Sequence, residues 1–209
     1  VDLGFKTNNM LTMRMDLPMP KYLKPETRAA FYSEVLRRVE DLPGVEAAGM
    51  ISFLPLSTSG MKFSFSVEGR ANAGDMNLPF ALYRAVSPDY FSATGIPLQR
   101  GRFFDAHDAP GSQPVVVVNH RLAEHFWPGE DATGKRLKVG PVDSPNPWAT
   151  VVGVVGDVRQ AGFYGDQQFE LYAPSLQERR SWLAPRDLVV RTSGDASSPV
   201  AGGASSGSS

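Results

Sequence analysis

Tyr83-Arg84-Ala85-Val86-Ser87-Pro88-Asp89-Tyr90-Phe91-Ser92-Ala93-Thr94-Gly95-Ile96-Pro97-Leu98-Gln99-Arg100-Gly101-Arg102-Phe103-Phe104, followed by a polar loop, Pro114 and Val115-Val116-Val117-Val118, holds the main clues to the fold. Ser87 is a good N-cap residue, Pro88 suits the first helical position, and Asp89 puts a carboxylate where the helix dipole favours one. Gly95 is a natural left-handed stop one short helix later. Residues 83–118 therefore read as strand, short helix, strand, loop and buried strand. This is scaffold, with no sign of catalytic machinery.

Towards the N-terminus, residues 1–9 form an unpatterned lead-in. Leu11, Met13, Met15 and Leu17 then alternate with Thr12, Arg14 and Asp16, the pattern of a half-buried strand. Thioethers suit soft metal ions, but no histidine lies near these methionines, and methionine is a common core filler. Pro18 and Pro20 end the strand. Pro25 and Glu26 open a helix that carries Phe31, Val35, Val39 and Leu42 on one face, with Leu36 beside them and Glu34 one turn before Arg38. Pro43-Gly44 stops it, and residues 45–54 form a second strand. The result is a βαβ unit, with a right-handed crossover if its strands are parallel. A turn-rich loop leads to a strand with Phe63, Phe65 and Val67 facing in. A Gly/Ala/Asn connection then reaches the strand over 80–86.

Towards the C-terminus, Asn119 caps a short helix bearing Leu122, Phe126 and Trp127, which Pro128-Gly129 ends. Residues 135–139 and 148–158 read as strands. Gly153 and Gly156 in the second mark a bulge or a close backbone approach. Residues 170–173 and 187–192 are the last strands, and 193–209 is patternless Ser/Gly/Ala, a flexible tail.

The 209 residues suffice for one large domain or two small lobes, and a net charge of −1 gives no electrostatic footprint for nucleic acid. The absence of cysteine excludes a disulfide framework and any thiolate zinc site. No apolar run approaches the roughly 20 residues of a membrane helix. With Val1 in first place, the chain reads as a soluble piece of something longer.

Chemistry finds no foothold. Gly129-Glu130-Asp131-Ala132-Thr133-Gly134-Lys135-Arg136 matches a phosphate loop up to its lysine. However, Arg136 replaces the magnesium-binding hydroxyl, and the order is helix then strand rather than strand then helix. His107, His120 and His125 do not share a helical face. Asp105, Asp108, Glu130, Asp131 and Asp157 lie in polar loops, where carboxylates are ordinarily solvated. The serines Ser57 and Ser59 lack the Gly-x-Ser-x-Gly elbow. Trp127, Trp148 and Trp182, with Tyr83, Tyr90 and Phe91, suit a core or a groove lining. No residue is expected to be catalytic, cofactor-binding or metal-binding.

A set of ordered motifs carries more information. They are Leu11-Thr-Met-Arg-Met-Asp-Leu-Pro; Phe31-Tyr with Leu42-Pro-Gly-Val-Glu-Ala-Ala; Phe53-Leu-Pro-Leu; Val86-Ser-Pro-Asp-Tyr-Phe with Gly95-Ile-Pro-Leu and Gly101-Arg-Phe-Phe; Val115-Val-Val-Val-Asn; Phe126-Trp-Pro-Gly-Glu-Asp; Gly134-Lys-Arg-Leu; Val151-Val-Gly-Val-Val-Gly-Asp-Val; and Leu188-Val-Val-Arg-Thr. In this order, over residues 4–192, the chain resembles the MacB-like periplasmic core domain of ABC transporter permeases of the MacB/FtsX type, in particular the acidobacterial-type large permease branch.

The resemblance implies an α+β (mixed α/β) fold in two lobes. A βαβ membrane-proximal lobe, 10–54 and 187–192, would carry a larger mixed-sheet lobe, 62–180, inserted into it, so that the domain spans 10–192. It implies a non-catalytic extracytoplasmic domain, anchored on the periplasmic side of the bacterial inner membrane. Such a domain couples movement of the transmembrane helices, driven by ATP hydrolysis elsewhere, to export or mechanotransmission outside. Its partners would be the transmembrane helices of the same permease, a cytoplasmic ABC ATPase indirectly, and a second permease copy or a periplasmic adaptor, but no nucleic acid. Family members continue after the Leu188-Val-Val-Arg-Thr strand with a helix and a strand that residues 193–209 do not supply, which implies a bare strand edge or helix-binding face. The alternative is a module that binds a small apolar or lipid ligand in an aromatic-lined cleft between the lobes.

Overall fold

The computed structural model describes residues 4, 6, 8–17, 21–22, 24–55, 60–70, 78–158 and 168–194. In chain order these form β1 (Met10–Arg14), α1 (Pro25–Glu40), β2 (Val45–Ile51), β3 (Met61–Val67), β4 (Phe80–Val86), α2 (Tyr90–Thr94), β5 (Leu98–Gly101), β6 (Val115–Asn119), α3 (His120–Phe126), β7 (Arg136–Val139), β8 (Ala149–Val155), β9 (Glu170–Pro174), a 3-10 turn at Ser181–Leu183, and β10 (Asp187–Thr192). The fold is mixed α+β and mostly sheet, as the sequence suggests. Pro18, Pro20, Ser57, Ser59 and the tail beyond Gly194 lie outside the described residues.

β10 pairs antiparallel with β1 on one side and with β2 on the other. β1 and β2 therefore run parallel, and α1 crosses between them: the expected βαβ unit is present, split by a strand from the far end of the chain. Cross-strand partners share a sheet face. The register Met13–Leu188–Met50 and Leu11–Val190–Ala48 thus sets one apolar face, on the side that α1 covers. The opposite face carries Val189 and Ile51 and receives α2 through Tyr90 and Phe91.

The expectation that Leu11 and Met13 are buried is not met, since they are 46% and 62% exposed. The alternation is real, but α1 lies over β2 and leaves β1 uncovered on that face. The helix itself follows its sequence signals, with proline at its start and Glu34 accepting from Arg38 at 2.6 Å and from Arg37 at 3.0 Å. These exposed pairs are worth little. The one fully buried residue of α1 is a charged one, Arg28.

The larger part of the sheet closes on itself. β4 pairs with β3 along one edge and with β9 along the other, and β3–β7, β7–β8, β8–β6 and β6–β9 complete a ring of six strands. Closure removes the free strand edges that would otherwise invite aggregation. Beyond the first residue of β3, the same edge of β4 continues into β2 at Val86–Ile51, so the split βαβ sheet and the ring are one sheet.

Two cores follow from this arrangement. Inside the ring, Phe65, Val116, Val118, Leu137 and Leu171 pack with Leu122, Phe126 and Trp127 of α3 and its C-cap. Outside it, Val115, Val117 and Tyr172 pack with Tyr90, Phe91 and Val189. β6 is therefore buried on both faces, which is the physical reason for a run of four valines rather than an alternating pattern.

A register shift between Val116 and Val117 lies opposite Gly153, where a Cβ would sit 2.2 Å from the Arg102 carbonyl oxygen. The close approach expected at this glycine is thus realised. The bulge explains why Val151 and Val154, three residues apart, both belong to the inner core.

Two helix ends match the sequence reading and one does not. The Asn119 side chain accepts from the Leu122 N–H, and Gly95 closes α2 at φ 69°. Ser87, however, is not the α2 cap. Its hydroxyl instead accepts from the Met50 N–H at 2.9 Å, joining β2 to the end of β4.

Candidate functional site

The segment between β9 and β10, residues 175–186, runs from the ring back to the split βαβ sheet, and α1 is fastened to it. Arg28 donates to the Arg179 carbonyl at 3.3 Å and to the Tyr22 carbonyl at 3.1 Å. On the same helical face Phe31 and Val35 follow at three and seven residues, so a cation occupies a core-facing position. Further along, the Arg186 guanidinium lies 4.7 Å from the Phe53 ring. Gln177 ties the segment to the loop before β6, donating to Ser112 Oγ at 2.9 Å and to the Gln113 carbonyl at 3.1 Å while accepting from the Val115 N–H at 3.2 Å.

Around this segment lies a cavity of about 1000 Å³. Its inner wall is ring interior (Tyr83, Val116, Leu137 and Leu171), and Tyr32 and Leu36 of α1 form part of its outer wall. At the rim, the Glu178 carboxylate accepts from Tyr83 Oη at 2.8 Å and from Arg180 Nε and Nη2 at 2.8 and 2.7 Å. The guanidinium of Arg180 lies over the rings of Phe63, Tyr83 and Trp182 at 5.1–5.9 Å. Burial pushes the Glu178 carboxyl up, but the hydrogen bonds from Arg180 and Tyr83 outweigh it and hold the group below its ordinary range. Burial and the neighbouring Glu178 charge push the Tyr83 phenol well above its usual range.

A depressed carboxylate has a definite pH signature. The unfolded chain takes up the proton first as the pH falls, so the stability from this contact is present above the ordinary glutamate pKa and lost as the pH drops through the lower folded value. Glu178→Gln is expected to cost about 1.5–3 kcal/mol at neutral pH, the range for hydrogen bonds to charged groups. It should also flatten the loss of stability below about pH 5. Urea denaturation at a series of pH values measures both effects.

A second buried ion pair joins two adjacent ring strands. Arg84 on β4 and Glu170 on β9 are 2% and 1% exposed, with Nε and Oε1 3.5 Å apart. Arg84 also donates to the Phe53 carbonyl, and Glu170 accepts from Tyr172 Oη at 2.7 Å. Burial raises the Glu170 carboxyl above its ordinary range against the pull of Arg84 and Tyr172. The sequence reading passed over Arg28, Arg84, Glu170 and Glu178. The available signal was a charge at a core-facing position, as with Arg84 in the apolar run from Ala81 to Val86.

The residues tested for chemistry in the sequence are not brought together. Lys135 bonds Glu130 at 2.6 Å in an exposed turn between α3 and β7. Asp105 and Asp108 both face Arg102, Asp131 accepts from the Thr133 N–H, and Asp157 accepts from Asn119 and the Arg121 N–H. His107 contacts Asp105, His125 packs on Phe126 and Phe169, and His120 is exposed. Among the described residues, no group of three or more metal-ligating acids or histidines is found. Of the six aromatic residues named as suiting a core or a groove lining, Tyr90, Phe91 and Trp127 are core, and Tyr83 belongs to the inner core while also bordering the cavity.

A split βαβ sheet spliced to a six-stranded ring has counterparts among transporter domains. The periplasmic region of MacB from Actinobacillus actinomycetemcomitans superposes with a TM-score of 0.56 at 17% identity, covering 92% of this chain and 78% of that one. The extracellular domain of the noncanonic ABC-type transporter YknZ from Gram-positive bacteria superposes at 0.54 and 16% identity, covering 89% and 84%. These likenesses establish the fold.

The family model of the MacB-like periplasmic core domain matches residues 4–202, and the chain belongs to that family. Sequence relatives include a probable export ATP-binding/permease protein MacB of Pseudomonas entomophila, 37% identical over 73 residues, or 34% of this chain and 10% of that protein. Another is a macrolide export ATP-binding/permease protein MacB of Rhodopseudomonas palustris, 29% identical over 110 residues, or 52% of this chain and 16% of that protein. The chain thus spans a small part of the length of these relatives. Among the described residues, no helix is long and apolar enough to cross a membrane.

Proposed function

We propose that this chain is the non-catalytic extracytoplasmic body of an ABC permease, passing movement of the membrane helices to whatever the permease engages outside the inner membrane. The force would come from a cytoplasmic ABC ATPase, and the outer contact would be a second permease copy or a periplasmic adaptor. The split βαβ part, 10–54 with 187–192, is the membrane-proximal lobe in this reading, and 62–180 is the inserted lobe.

The observation that carries the proposal is the double fastening of the two parts. The sheet is continuous through β2–β4, and α1 is separately anchored by Arg28 to the 175–186 return segment. A relay needs a stiff body rather than reactive groups. A stand-alone ligand-binding module is the weaker reading for a chain of this family.

Arg28→Ala in the parent permease tests the relay. It removes the α1 anchor and its charged hydrogen bonds to the Arg179 and Tyr22 carbonyls, at a local cost of about 1.5–3 kcal/mol. The expected result is several-fold less export per ATP hydrolysed, with basal ATP hydrolysis unchanged. An unchanged ratio in a folded variant would count against the relay.

A further inference from the structure

One edge of the joined sheet stays open. β1 stands last in the strand order and, among the described residues, pairs only with β10. The two ends of that ladder show which backbone groups it uses. The Met15 N–H donates to the Arg186 carbonyl, and the Asn9 carbonyl accepts from the Thr192 N–H. Residues that bond to a given neighbour alternate along an antiparallel strand, so positions 9, 11, 13 and 15 face β10. Met10, Thr12 and Arg14 therefore turn their N–H and C=O groups away from the sheet.

Sheet edges are ordinarily guarded by a lysine, a proline, a bulge or a covering element. β1 reads Met-Leu-Thr-Met-Arg, and its register with β10 runs without a shift. Its one charge, Arg14, is turned back onto Asp187, with Nε and Oδ1 2.9 Å apart. Leu11 and Met13 stand exposed on the face that α1 leaves uncovered. Both the backbone and the side chains of this strand are thus free to meet another strand.

We propose that this edge is a docking surface for a second copy of the chain, the two β1 strands pairing antiparallel about a two-fold axis at Thr12. The open groups lie on even-numbered residues, so even positions must meet even positions. An axis at Thr12 sets Thr12 opposite Thr12, Met10 opposite Arg14 and Leu11 opposite Met13, which pairs all five residues of each strand. Threonine then meets threonine and apolar meets apolar, both favourable cross-strand pairs. The aliphatic stem of Arg14 lies along Met10 while its charge stays on Asp187. An axis at Leu11 or Met13 pairs only residues 10–12 or 12–14, and one at Arg14 sets two arginines face to face. A contact of this length is smaller than a standard interface, so the dimer is a weak one.

The test uses the 209-residue chain, followed by analytical ultracentrifugation and by amide hydrogen exchange from low to high micromolar concentration. The expected result is a mass that rises towards that of a dimer, with exchange protection growing alongside it at Met10, Thr12 and Arg14. Thr12 is exposed, so its variants should keep the fold. Thr12→Lys and Thr12→Glu each set like charges across the axis and should each stay monomeric, whereas an equimolar mixture of the two should associate again. The chain has no cysteine of its own. Thr12→Cys should form an intermolecular disulfide roughly tenfold faster than Arg38→Cys, because directly opposed hydrogen-bonded residues sit about 5.5 Å apart at Cα, within disulfide reach.

A chain that is monomeric throughout, a mixture no more associated than its components, or equal cross-linking at positions 12 and 38 would overturn the proposal. So would full protection of Met10, Thr12 and Arg14 in the dilute monomer, since the chain's own residues would then occupy the edge. The pairing does not rest on the relay, and either can fail without the other.

Discussion

Replacing Glu170 by leucine, with Arg84 left in place, is expected to cost about 3–5 kcal/mol of folding stability, the range for removing one partner of a buried ion pair. The reason is the position of Arg84. Its side chain is 2% exposed, it sits in the strand that belongs to both the ring and the split βαβ sheet, and its charge faces Glu170 across the β4–β9 seam. Without the carboxylate, the guanidinium remains in a low-dielectric interior with the Phe53 carbonyl as a neutral partner. Tyr172 Oη loses its acceptor at the same time. The double variant Arg84→Met/Glu170→Leu should recover most of the loss, because exchanging both charges for apolar groups of similar volume is often close to neutral. Urea unfolding of the two single variants and the double variant measures the coupling. A double variant no more stable than the singles would show that the pair is not what holds the seam.

Gly49→Val should also be strongly destabilising, for a different reason. A Cβ at Gly49 would lie 2.4 Å from Tyr90 Cα and 2.8 Å from Tyr90 N, atoms of the α2 backbone that cannot swing aside as a side chain can. α2 would have to lift from β2, opening the outer core at Tyr90 and Phe91. Overpacking of this kind costs about 1–3 kcal/mol and sometimes more, and valine's two γ-methyl groups place this variant at the upper end. Gly129→Ala is the control. Gly129 has φ 72° with no atom within 4 Å of the added Cβ, so that variant should lose only the left-handed backbone penalty of about 1 kcal/mol. Thermal or urea unfolding should separate the two variants clearly; equal losses would mean that the α2–β2 approach is not tight.

Local signals were legible in the sequence because they act within a few residues. Asn119 caps its helix, Gly95 stops another, and Gly153 marks the place where the Arg102 carbonyl comes close. The four valines of β6 announced burial on both faces, and the resemblance correctly gave the family. Closure of the ring depends on β4 meeting β9, a parallel pairing between distant segments that no local pattern encodes. Burial of a strand face also depends on what lies over it, which is why the alternation at Leu11 and Met13 indicated a strand but not its exposure. Ser87 shows the same limit, since a residue suited to capping was used instead to tie β2 to β4. The cavity was least legible of all. Its walls come from α1, from several ring strands and from the return segment, and the polar residues at its rim look in sequence like ordinary surface charges.

The relay is tested most directly by distances in the working permease. This chain contributes no cysteine, so spin labels can be placed through Arg38→Cys on α1 and Arg121→Cys on α3, both exposed. Double electron–electron resonance is then recorded with and without ATP, together with the distance from position 38 to labelled lipid headgroups. A rigid relay predicts an unchanged 38–121 distribution while the distance to the headgroups shifts with nucleotide. A 38–121 distance that changes with ATP, or a headgroup distance that does not, would contradict it.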